Sequence, residues 1–336
     1  MTAEREDHCL RRVDVRSGYG HRGAEKLFEV RDYRSLIMLA DRHDWWAAFS
    51  GELCVTLAVE NAMRLPVPPR AAHLRTLLAE YARVHSHLSF LSYLTAGKLE
   101  ASLWAVVEEL RGGLRAWTGN RIHPMINRVG GLAADMPAGW DATVIPLLDR
   151  VDALSHHLDE ALQDAAARLS GLATLTVADC LDYGLSGPVA RGAGMDLDRR
   201  GSGYLAYRDV FVAAPVRSGA DTHDRLALLI DEVRTSSQMI RHLLDVIPGI
   251  SGEVAVRLAR RLKVPEGQHA VEVEAPWGIA GCVLVSRGGN TPWRLALRTP
   301  SFANLSALGH ALEGVQENQI ADAVSGIGYG IGDADK

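Results

Sequence analysis

The sequence predicts an α+β protein that is mainly α, an antiparallel helical bundle followed by a small C-terminal antiparallel β-meander. Three observations carry this. Apolar residues recur with the 3.6-residue period of packed helices over several long stretches. From about residue 268 to 299 that period gives way to alternation of apolar and polar residues. The 336-residue chain is 47% hydrophobic, enough for a sizeable core without metal or disulfide staples.

Taken in order, residues 1–20 are charged and read as an irregular lead-in, and residues 21–336 as one unit with a helical core over 21–262. The first helical stretch ends at "LPVPP", because proline cannot donate to the helix ladder. Pro69 then starts a long helix whose stripe runs through Leu74, Leu77, Leu78, Tyr81, Val84, Leu88 and Leu91. A second helix covers "LWAVVEELRGGLRAW" and is weakened by its glycine pair. The polar loop "TGNRIHPMINRVGGLAADMP" follows, long enough to suggest a functional role or a lid. A third helix spans about 142–169, and Asp221 or Thr222 caps a fourth with a stripe from Leu226 to Leu244. The meander over 268–299 breaks at Pro276 to Gly278 and at "RGGN". A last helix near 302–323 and a glycine-rich tail close the chain.

Composition excludes several function classes. A net charge of -5, with no basic run interleaved with aromatics, argues against nucleic acid. No apolar segment is long enough to span a membrane, and "MTAEREDHCLRR" lacks a signal-peptide core, so a cytoplasmic protein, free to dock on a membrane complex, is expected. Cys9, Cys54, Cys180 and Cys282 are far apart and suit neither a disulfide framework nor a self-contained metal site. "RGAGM" lacks the strand and helix of a dinucleotide loop, and His85 and His87 fall on different helix faces, a poor metal pair.

The segments "GHRGAEKL", "DRHDWW", "LAVENAMRLPVPPRAAHLRTLLAEYARVHSHL", "TGNRIHPMINRVGG", "SGPVARGAGMDLDRR", "DTHDRLALLIDEVRTSSQMI" and "VEAPWGIAGCVLVSRGGNTPWRLALRTPSF" resemble, in order, the D subunit of NADH-quinone oxidoreductase (complex I), a family related to the large subunits of nickel-iron hydrogenases. The resemblance runs from about Val15 to Lys336. It implies a hydrogenase large-subunit-like fold with no metal of its own, packed on a small B-type subunit that carries a 4Fe-4S cluster. Other complex subunits, including membrane-arm proteins, would complete the assembly. The two subunits would enclose the quinone head, and NADH would act only through the complex.

That resemblance also supplies site residues. Family members place a histidine in an H-P-x-x-H-G segment and the tyrosine of D-R-L-D-Y against the quinone carbonyls. The first motif does not occur in this sequence, and Trp45 holds the tyrosine position. An indole N–H donates one hydrogen bond but cannot release its proton at ordinary pH. Trp45 is therefore either a stacking surface or, with Trp46, filler in a closed site. His43, in place of an apolar residue, is a substitute proton donor or merely a solvated histidine. The candidate catalytic residues are His21, His43, Asp44 and Trp45; those for quinone or partner binding are Arg22, Glu25, Arg42, Glu80, Arg83, His87, Arg121, His123 and Arg128.

Glu80, Arg83 and His87 share a helix face, and an internal ion pair is the favoured reading over proton transfer or cluster tuning. Arg121 and Arg128 are candidates to face the cluster, and Gly130 and Gly131 let the backbone approach a partner or ligand. Arg294 and Arg298 read as structural or interfacial. Nickel would need four soft thiolates, but the two segments matching the hydrogenase C-x-x-C pairs read "DRHDWW" and "GIGDADK". "GDADK" resembles the family's closing G-E-x-D-R, whereas Gly328 stands where an aspartate is usual. These departures sustain an alternative: a noncatalytic scaffold subunit of a hydrogenase-related membrane complex whose quinone site has degenerated.

Overall fold

The computed structural model describes residues 1–336. The N-terminus is a hairpin of β1 (Thr2–Glu6) and β2 (Cys9–Asp14), where the sequence suggested irregular chain. Its turn residues Asp7 and His8 both adopt positive φ, the geometry of a tight hairpin turn. Two short helices, α1 (Ala24–Phe28) and α2 (Leu36–Ala40), lead to α3 (Ala48–Met63).

Helix α4 (Pro69–Leu91) begins with proline at its first turn, as expected. It buries far more than one stripe: Arg75, Glu80, Arg83 and His87 are as inaccessible as its leucines, because other elements cover it on nearly every side. Helix α5 (Gly97–Thr118) runs unbroken through its glycine pair, and the Tyr81 ring packs where Gly113 lacks a side chain. The short connections 64–68 and 92–96 make α3, α4 and α5 successive antiparallel neighbours.

The loop from Gly119 to Gly139 carries two minimal strands, β3 (Asn127–Arg128) and β4 (Gly131–Leu132). Gly131 does require its freedom: at φ 145 a side chain there would come within 2.7 Å of Ala255 Cα. The close approach is to the chain's own backbone rather than to a partner, which corrects the expectation for this glycine pair. After α6 (Trp140–Asp164) come α7 (Ala166–Leu169), α8 (Val177–Tyr183), α9 (Gly187–Gly192) and α10 (Tyr207–Val210). Asp221 caps α11 (Thr222–Val246), accepting the Asp224 N–H at 2.9 Å.

The predicted meander is present as β5 (Gly267–Ala275), β6 (Gly278–Ser286) and β7 (Arg294–Arg298), in the order β5-β6-β7, laid on α3. The single closing helix is not. The chain instead forms α12 (Pro300–Ser306), α13 (Leu308–Ala311), α14 (Ile320–Ser325) and α15 (Ile331–Ala334). The break after α13 follows from the hairpin, since Leu10 N–H donates to Val315 O at 2.9 Å and Gly314 N–H to Leu10 O at 2.8 Å. A main core joins the bundle to the sheet, and a smaller cluster of Leu10, Leu175, Leu308 and Leu312 sits under the hairpin.

Candidate functional site

An early segment and the C-terminal tail meet at one end of the molecule. The Asp335 carboxylate accepts the N–H groups of Gly18 at 2.5 Å and Gly20 at 2.6 Å, and His21 Nδ1 donates to Lys336 O. Gly332 lets the tail pass directly against Trp45; a side chain there would stand 2.5 Å from Trp45 Nε1. Between the two lies an open pocket of about 190 Å³ walled by Arg22, Arg42, His43, Trp45, Ile331 and Lys336. Trp45 is 52% exposed, so it is not core filler. Trp46 is half-buried beside Phe90, its carbonyl taking a hydrogen bond from His85 Nδ1 at 2.9 Å.

Arg22 donates to Arg42 O at 3.0 Å, which ties the first segment to the second. Glu25 faces away from the pocket floor, pairing with Arg294 at 2.5 Å and accepting the Leu297 N–H at 2.8 Å. Arg294 thus serves α1, while Arg298 binds the carbonyls of Ile279 and Gly184, so both strand arginines are structural.

Directly beneath the pocket, Asp44 and Asp333 come together. The early segment carrying Asp44 and the C-terminal tail carrying Asp333 are therefore adjacent in space. Burial, and then the charge of Asp333, push Asp44 up to about 7; burial likewise pushes Asp333 up to about 6. His43 is driven the opposite way, to about 4, by burial and by the nearby Arg22 cation, so it is neutral at physiological pH.

On the flank, Arg42 pairs with buried Asp41, and His123 Nδ1 lies 2.8 Å from the same carboxylate. Glu52 is adjacent and held well above the usual carboxylate range by burial and by its contact with Asp41. The structure thus links Arg42 and His123 through an aspartate that sequence reasoning passed over. Arg121 pairs with Glu108 on the rim of a separate apolar pocket containing Trp46 and Tyr81. Arg128 is turned onto the carbonyls of Met125 and Asn127, each at 2.7 Å.

Glu80, Arg83 and His87 lie apart from the pocket, in the bundle core. Glu80 accepts the Tyr207 and Ser236 hydroxyls, each at 2.6 Å, and pairs with Arg83 at 3.2 Å and Arg200 at 3.1 Å. His87 Nε2 donates to Glu232 at 3.0 Å, and Arg191 joins Glu232 to Glu274. Burial opposes ionisation of Glu80 and Glu232, but the surrounding guanidiniums outweigh it and hold both below the usual range. Arg83, Arg191 and Arg200 face Glu80, Asp198, Glu232 and Glu274, one acid in excess, and Glu274 is the one that burial raises. Arg191 belongs to the "RGAGM" stretch; the only sequence signal for its partner was a glutamate inside the apolar stripe of α11.

Fold and site together define a mainly helical α+β protein whose chemistry gathers where an early segment and the C-terminal tail meet. The family described as respiratory-chain NADH dehydrogenase, 49 Kd subunit, matches residues 102–262 and 253–336. The chain is 44% identical over 327 residues to a D subunit of NADH-quinone oxidoreductase from Salinispora arenicola, covering 95% of this chain and 85% of that protein. Against a D subunit of the same enzyme from Streptomyces coelicolor the identity is 41% over 330 residues, covering 95% and 86%. Against the Geotalea uraniireducens D subunit it is 33% over 359 residues, covering 98% and 91%. The chain belongs to the family of NADH-quinone oxidoreductase D subunits. No helix is long and apolar enough to cross a membrane.

Proposed function

We propose that this chain forms the quinone site of a complex I-type NADH-quinone oxidoreductase jointly with a small 4Fe-4S-bearing subunit, peripheral on the cytoplasmic side of the cell membrane. The supporting observation is the pocket itself, a flat exposed indole at Trp45 opposite Arg22, Arg42 and Lys336. A planar head stacks on Trp45, and the cations stabilise charge as electrons arrive from the partner's cluster. Arg22, Arg42, His43 and Trp45 are the residues assigned to the head, with His21 holding the tail in place and Asp44 acting from beneath; Arg121, His123 and Arg128, on the adjoining loop, are assigned to the partner's side. NADH is oxidised elsewhere in the complex.

One observation favours the noncatalytic scaffold. Gly328 has φ 58, and a side chain there would stand 2.9 Å from Trp277 Cε3, so the acid usual at this position has no room. Titration of the assembled complex with a quinone analogue decides between the two. Saturable binding that Trp45→Ala weakens supports the quinone site; no binding at any concentration leaves the scaffold.

A further inference from the structure

Beside the outer pocket lies a second, smaller cavity of about 30 Å³. One water needs roughly 10–15 Å³ on this measure, so there is room for about two. The cavity has the polar lining that ordered water requires. His43 and Thr299 are each 6% exposed, and His43 Nε2 and Thr299 Oγ1 have no hydrogen-bond partner in the protein. Asp44 and Asp333, 7% and 6% exposed, complete the polar wall together with Ser50 and the side chain of Arg298. The N–H groups of Trp46 and Ala47 both bond to Asp44 Oδ1, at 3.0 and 3.2 Å, and the Ser301 N–H bonds to Asp333 Oδ2 at 3.0 Å. The Ser301 side chain also bonds to Asp333.

No cation neutralises this pair by contact. Arg298, on β7, is held by backbone carbonyls; Lys336 is drawn to Leu297 O and lies 3.7 Å from Glu25; Arg22 is bonded to Arg42 O. From α3 the cavity receives Ser50 and the buried thiol of Cys54, and nothing charged. The Arg298 and Lys336 charges favour ionisation of Asp333 from a distance but do not outweigh burial, so two neighbouring buried carboxylates cannot both ionise cheaply, and one proton between them removes the repulsion. His43 is the only residue that lines both this cavity and the outer pocket together with an unpartnered ring nitrogen.

We propose that the inner cavity is a hydrated proton store: Asp44 and Asp333 hold one proton between them through water, and His43 relays it to an anionic oxygen in the outer pocket. In the forward step a carboxyl O–H bond breaks as His43 accepts a proton at one ring nitrogen and gives up the proton from the other. The imidazole ends neutral and the pair ends with two carboxylates, which regain a proton from solvent by the reverse route. No electrons move within this chain. His43 would thereby supply the proton that the indole of Trp45 cannot release. The store exists whether or not quinone binds; the relay to a ligand rests on the proposed function.

Infrared spectroscopy of the full chain, counting protonated carboxyls near neutral pH, tests the store. Asp44→Asn and Asp333→Asn should each remove one protonated carboxyl, and the double variant should remove one rather than two. Loss of two in the double variant, or of none in either single variant, overturns the shared proton. Should Asp44→Asn fail to fold for want of its caps, potentiometric titration of the unaltered chain stands in: the store requires release of a proton between about pH 6 and about pH 8 that is absent in Asp333→Asn. His43→Phe should slow hydrogen–deuterium exchange of the stored proton about tenfold or more; unchanged exchange overturns the relay. None of these readings needs quinone, so failure of quinone binding by the complex would end the proposed function and leave the proton store to stand or fall on its own.

Discussion

Two groups of buried acids in this protein meet opposite fates. In the bundle core Glu80 and Glu232 are surrounded by Arg83, Arg191 and Arg200, and their carboxyls titrate below the usual range. Under the pocket Asp44 and Asp333 line one cavity with no cation in hydrogen-bond contact, only the more distant charges of Arg298 and Lys336, and titrate above it. Burial penalises ionisation in both places. What differs is whether guanidiniums arrive within hydrogen-bond distance, and so one group is fixed in charge and holds elements together while the other can exchange a proton near neutral pH.

Removing one partner from the compensated group gives the largest expected effect. Glu232→Ala leaves Arg191 short of its acceptor and His87 without its bond, and should cost about 3–5 kcal/mol in a denaturant titration of the chain. A cost under about 1 kcal/mol would erase the distinction between the two regions.

The second test reads opposite pH dependences. Because Asp44 and Asp333 have raised folded-state pKa values, the folded chain binds protons that the unfolded chain has lost. Their contribution to stability is present at low pH and is lost as pH rises from about 4 to about 7, with a limiting slope of about 1.4 kcal/mol per pH unit for each proton. Glu80 and Glu232 act in the other sense, with stability present above their unfolded pKa and lost on acidification. Asp44→Asn should therefore flatten the decline on the alkaline side and leave the acid limb intact; a variant that alters only the acid limb would show the pair to be ionised throughout.

Smaller changes sharpen the contrast between pocket and core. Trp45→Ala should weaken binding of a quinone analogue to the assembled complex by about tenfold, the loss of one stacking contact. Since the indole is exposed, chain stability should move by no more than about 0.5 kcal/mol. Smallest of all, Arg294→Ala removes exposed pairs with Glu25 and Glu29, should cost at most about 1 kcal/mol, and should cost less still at high salt.

The long elements were legible because their signals are local. Pro69 and the leucine stripe announced α4, and the breaks at Pro276 to Gly278 and "RGGN" announced the meander. The N-terminal hairpin was missed because its turn is Asp7-His8, without the glycine that usually marks two positive-φ positions. The broken C-terminal helix was missed for a related reason, since the hairpin is what ends it. At the candidate site, Trp45, His43 and Asp44 stand out in the early segment, whereas Asp333, Asp335 and Lys336 carry no signal beyond a family-like tail. Nothing in either stretch says that the two pack side by side.

By itself, then, the amino-acid order determined the long helices, the C-terminal meander and the family, because periodicity, proline and glycine act over a few residues and the family's segments occur in linear order. Tertiary structure alone decided which charges are compensated. Coulomb energy and desolvation depend on distance and burial, and neighbours such as Asp44 and Asp333, or Glu80 and Arg200, are brought together only when the bundle closes.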